Sequence, residues 1–123
     1  SWEGDFYGDV RPLPGEPIVT KHRFNAFLNT DLQTILRANG IRTVVFSGVA
    51  TNVCVETTAR MAGNLGYDVT VVLDATRTFD LEEEIPGLGV VHRSAAELMA
   101  GTALVLQGGG FARIATTDEI VPA

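Results

Sequence analysis

Cys54 is the only cysteine and Lys21 the only lysine in a chain of 123 residues. A cysteine thiolate can attack a carbonyl carbon, and lysine is the cation whose proton affinity its surroundings can tune. Cys54 lies in GVATNVCVETTAR, Gly48 to Arg60, where an apolar stretch gives way to a helix-like run. In the first turn of a helix capped by Thr51 or Asn52, free N–H groups and the positive dipole end favour an anion such as a thiolate. The same N–H groups would hold the oxyanion of a tetrahedral intermediate. Plainer readings stay open beside this one: a lone cysteine is also a small buried hydrophobe, and a lone lysine a solvated strand end.

The elements that must position these residues follow from local patterns. Residues 1–16 are Gly- and Pro-rich and read as an extended loop. Ile18–Val19–Thr20 reads as a short strand running into Lys21. NTDLQTILRANG offers Thr30 as an N-cap with Gln33 three residues on, apolar residues at helical spacing, and Gly40 as the stop. IRTVVFSG and YDVTVVLDA are β-branched runs of the kind buried on both faces of a sheet. Residues 52–65 read as a helix closed by Gly66, and TRTFDLEEEIPGLG as a solvated acidic loop. Ser94 and Glu97 form a second capping-box pattern ahead of a helix, and FARIAT gives a last strand. Strands alternating with helices predict a parallel sheet in a layered α/β domain, residues 1–123 forming one unit. Ligands of such sheets sit at the carboxyl ends of the strands. Lys21, the Gly48–Cys54 turn and Asp74 all fall at such ends.

Composition excludes several classes of function. The net charge is −6, and no Lys/Arg cluster marks a nucleic-acid surface. No apolar run approaches the roughly 20 residues of a membrane span. One cysteine forms no internal disulfide, and SWEGDFYGDV lacks an export segment, so a cytoplasmic protein is expected. His22 and His92 stand far apart without ligand spacing, so no metal site is expected of this chain.

GVATNVCVETTARMAGNLGYDVTVVLDA resembles the isochorismatase-like cysteine hydrolases. Their pattern is Gly-Val-x-Thr-(Asn/Asp)-x-Cys-Val, Thr-x-Arg-x-Ala, Gly-Tyr-x-Val and Asp-Ala. The upstream KHRFNAF is similar to the family's Lys-x-Arg-(Tyr/Phe)-Ser-x-Phe, with Asn25 in the serine place, and FARIATTDEIV is similar to its last strand and tail. The resemblance implies a three-layer α/β/α fold around a six-stranded, Rossmann-like parallel sheet, of which this chain is the C-terminal two-thirds. It implies an Asp–Lys–Cys triad with Cys54 as nucleophile and Lys21 as its lysine. It also implies a cis Val49–Ala50 bond and an oxyanion hole of the Ala50 and Cys54 amides. The family's aspartate lies in an N-terminal segment with no counterpart here. Asp5, Asp9 and Asp31 do not align with it, and Asp74 matches a position expected to bond backbone.

The resemblance thus points to a cofactor-independent hydrolase cleaving a C–N bond of an amide or ureido compound through a thioester. Isochorismate itself is disfavoured, because the enzymes that cleave its vinyl ether lack the nucleophilic cysteine. Metal-binding branches hold their metal through the region absent here. Phe24, Asn25 and Asn52 are candidate substrate-binding residues. A homo-oligomer or a complementary N-terminal segment is the expected macromolecular partner. A catalytically inactive module serving oligomer or partner contacts is the alternative, and a redox sensor is disfavoured by the lack of a resolving cysteine.

Overall fold

Apolar β-branched runs become strands here, and glycines mark where helices stop. The computed structural model describes residues 8–122. In chain order these form a 3-10 turn (Gly8–Val10), α1 (Leu32–Ala38), β1 (Thr43–Val49) and a π-helical turn (Thr51–Val55) that runs into α2 (Glu56–Asn64). Then come β2 (Asp68–Arg77), β3 (Leu81–Ile85), β4 (Gly89–Arg93), α3 (Ala95–Gly108), β5 (Arg113–Ala115) and α4 (Thr117–Ile120). β1, β2 and β5 make a parallel sheet in the order β1-β2-β5, and β3 and β4 make a separate antiparallel hairpin. No helix among the described residues is long and apolar enough to cross a membrane.

The helix boundaries obey local chemistry. Gly66, at φ 91°, takes the left-handed conformation that lets its N–H reach Gly63 C=O and the Tyr67 N–H reach Ala62 C=O, each at 3.1 Å. Gly40 closes α1 in the same way. Ser94 and Glu97 form the expected reciprocal box: the Ser94 hydroxyl accepts from the Glu97 N–H at 3.1 Å, and the Glu97 carboxylate accepts from the Ser94 N–H at 3.0 Å. The Ser94 N–H, and then the Ser94 hydroxyl, hold the Glu97 carboxyl below the ordinary carboxylate range. The box therefore stabilises the fold above Glu97's unfolded value, and that contribution is lost as pH falls through the lower folded one.

The core gathers on the central strand. Val69, Thr70, Val71 and Val72 of β2 are all buried, so this strand is covered on both faces as expected. Val44 of β1 packs with Ala59, Ala62 and Leu106 from the helices. Glu56 of α2 accepts the Thr102 hydroxyl of α3 at 2.6 Å and pairs with Arg60 at 3.2 Å, while the Arg60 guanidinium lies 5.0 Å from the Phe111 ring centroid.

Four expectations need correction. β1 is buried on one face only, with Val45 52% and Val49 58% exposed on the other, because it is the edge strand of the described sheet. Ile18–Thr20 is not a strand; no described neighbour pairs with it. Thr30 does not occupy the N-cap: α1 starts one residue later behind Asp31, although the Thr30 hydroxyl still accepts the Leu32 N–H at 3.3 Å. The acidic stretch is no plain loop. Pro86–Gly87 makes a tight turn, with Gly87 at φ 85° and the Leu88 N–H on Ile85 C=O at 2.9 Å, and so folds Leu81–Arg93 into the hairpin.

Gly63 shows how closely α2 approaches the segment before β5. A Cβ there would lie 2.7 Å from the Phe111 carbonyl oxygen. Gly-to-Ala changes inside helices normally gain about 0.5–1 kcal/mol. Here Gly63→Ala is expected to lose about 1–3 kcal/mol through overpacking, read by urea unfolding. A gain would contradict the close approach.

Candidate active site

Lys21 belongs to an irregular segment, and two anchors hold that segment in place. Phe27 is buried in the core with its ring stacked against Tyr67, centroids 6.0 Å apart. Thr58 of α2, itself buried, accepts the Ala26 N–H at 3.0 Å and donates to the Phe24 C=O at 3.4 Å. The result brings Lys21 Nζ to 3.5 Å from Cys54 Sγ and 3.1 Å from the Arg23 carbonyl oxygen. Two side chains that each occur once in the sequence thus touch across 33 positions of chain. Among the described residues Lys21 has no carboxylate partner.

The other half of the site is built where β1 and β2 end. Their register runs evenly to Phe46 opposite Val71, then jumps so that Gly48 faces Thr76. β2 therefore bulges over Val72–Ala75. The Thr76 hydroxyl ties the bulge back by donating to the Leu73 C=O at 2.7 Å. Asp74 is carried outward, where one carboxylate oxygen accepts both the N–H and the hydroxyl of Thr117 at 2.8 Å. The expected backbone-bonding role of Asp74 is therefore present. After β1 the Val49–Ala50 bond is cis, as the resemblance implied. The Ala50 carbonyl accepts the Val53 and Val55 N–H groups at 3.2 and 3.1 Å, which widens the turn holding Cys54 into a π-turn.

Neither Thr51 nor Asn52 caps this turn. Ala50 occupies the cap position; the Thr51 side chain reaches β2 instead, and that of Asn52 the residue just past the β2 end. The Thr51 hydroxyl donates to Thr76 at 2.7 Å, and Asn52 Oδ1 accepts the Thr78 hydroxyl at 2.5 Å. Ala50 and Cys54, the pair named for an oxyanion hole, lie at the start and near the end of this turn. Of the remaining candidates, Phe24 is 64% exposed, and Asn25 turns its side-chain oxygen onto the Phe27 N–H at 2.9 Å, building a local turn. Thr76 and Thr78 belong to the site without having been singled out. Their partners are about 25 residues away, and no local pattern announces such pairs.

Residues 1–102 match the isochorismatase domain family. The chain is similar to the ureidoacrylate amidohydrolase RutB of Variovorax paradoxus, 45% identical over 75 residues, which cover 61% of this chain and 30% of that protein. It is 37% identical over 112 residues to an uncharacterized isochorismatase family protein, YrdC, of Bacillus subtilis, covering 91% of this chain and 57% of that one. The crystal structure of a cysteine hydrolase from Pseudomonas syringae pv. phaseolicola superposes with a TM-score of 0.83 at 33% identity, over 94% of this chain and 52% of that chain. The chain thus spans less than two thirds of the length of each of these relatives.

The Thr58 anchor gives a direct test of how the Lys21 segment is held. Thr58→Val leaves the Ala26 N–H without its acceptor and is expected to cost about 1–2 kcal/mol in denaturant unfolding, whereas Thr58→Ser stays close to wild type. Equal stability of the valine and serine variants would contradict the anchor.

Proposed function

Because the chain belongs to the isochorismatase family, we propose that it carries the nucleophilic half of a cysteine-dependent hydrolase that cleaves a C–N bond in a small amide or ureido compound. The contact of Lys21 Nζ with Cys54 Sγ at 3.5 Å is the observation that supports this reading most directly. An ammonium at that distance balances the charge of a thiolate. The nucleophilic sulfur attacks the substrate carbonyl carbon, forming a C–S bond while the carbonyl electron pair moves to oxygen. The Ala50 and Cys54 N–H groups stabilise that oxyanion. Collapse breaks the C–N bond, and the departing nitrogen takes a proton to leave as ammonia or an amine. Water then adds to the thioester, the C–S bond breaks, and the carboxylic acid product leaves.

The proton relay needs a carboxylate, and this reading places it outside residues 8–122. RutB bears the name of an amidohydrolase acting on ureidoacrylate, which favours a ureido acid as the first substrate class to try. Phe24 and the amide nitrogen of Asn52 are assigned to substrate contact.

The test uses the full-length protein with ureidoacrylate and a panel of small amides. Wild type is expected to release ammonia or amine, and Cys54→Ala and Lys21→Met each to lower kcat by about 10³-fold or more. Wild-type rates in Cys54→Ala would remove the nucleophile assignment. A wild type that turns over nothing in the panel would favour the inactive module.

A further inference from the structure

We infer that Thr76 and Thr78 are positioning residues that hold the Cys54 turn within reach of Lys21. This rests on the reading of Cys54 as nucleophile, but its geometry stands apart from it. Two consecutive turn residues, Thr51 and Asn52, reach two alternate residues at the carboxyl end of β2, Thr76 within the strand and Thr78 just past it. One hydrogen bond would leave the turn free to swing about a single point; two in parallel fix both its position and its rotation.

The first bond has a defined direction. Thr76 spends its proton on the Leu73 carbonyl oxygen, so it can only accept from Thr51. A relay therefore runs from the Thr51 hydroxyl through the Thr76 hydroxyl to the β2 backbone. Thr51 and Thr76 are both completely buried, so water offers neither hydroxyl a replacement partner. The relay also closes the Val72–Ala75 bulge, and the cysteine turn is thereby referenced to the central strand instead of to the exposed edge strand that precedes it.

The second bond sets the orientation of an amide. With Oδ1 of Asn52 occupied by Thr78, the group it can offer a ligand is its NH₂, a donor. The acceptor it suits is the carbonyl or carboxylate oxygen of a ureido acid. Thr78 is therefore assigned a part in substrate choice through Asn52, and Thr76 a part in placing sulfur.

A double-mutant cycle in the full-length protein tests this without needing turnover. The rate of iodoacetamide alkylation is followed on the tryptic peptide Thr43–Arg60, which carries Cys54. Lys21→Met is expected to slow alkylation about tenfold in the wild-type background but less than about twofold in Thr76→Val, because the contact it removes is already lost there. Thr76→Ser keeps the hydroxyl and is expected to restore the tenfold effect. Thr78→Val, at a half-buried site, repeats the cycle in a variant that folds even if the buried valine does not. A Lys21 effect of equal size with and without the threonine hydroxyls overturns the inference, and so does the absence of any Lys21 effect in wild type. The cycle coming out as expected while Cys54→Ala still hydrolyses substrate would leave the positioning roles standing and remove the nucleophile assignment alone.

Discussion

The hydroxyl of Thr76 ties the site to the sheet. It is buried, it gives its proton to the backbone of its own strand, and it takes the proton of Thr51 from the turn that carries Cys54. Around this point the β1/β2 ladder skips from Val71 to Thr76, Asp74 is turned out to hold the start of α4, and the chain enters the π-turn. Each feature needs the others. Without the bulge Thr76 would not face Gly48, and without Thr76 the bulge would lose the hydroxyl hydrogen bond on the Leu73 carbonyl.

Lys21 reaches Cys54 by a different principle. Its segment has no regular structure, and it is placed by one buried ring, Phe27, and one buried hydroxyl, Thr58. Arginine supplies every other permanently charged basic side chain in this chain.

What could be read from the sequence was local or chemically singular. Gly40, Gly66 and the Ser94–Glu97 box act within a few residues of themselves, and each is where the sequence places it. Cys54 and Lys21 could be paired across 33 positions only because each is unique and because the surrounding motifs resemble a known family. The misreadings share a cause. Ile18–Thr20 has strand-like residues but no described neighbour, β1 has a buried-strand composition but an edge position, and three glutamates masked a hairpin that Pro86–Gly87 imposes. The jump in β2 register and the threonine pairs depend on how two strands end side by side, which no periodicity in either strand records.

In the proposed reaction the Cys54 sulfur carries the acyl group during turnover. The most direct measurement is a rapid acid quench of the full-length protein reacting with ureidoacrylate, followed by mass analysis of the peptide Thr43–Arg60. The expected result is a transient mass increase on that peptide equal to the acyl fragment, formed before steady state and absent in Cys54→Ala. Steady hydrolysis with that peptide unmodified at every quench time, and undiminished in Cys54→Ala, would contradict the account.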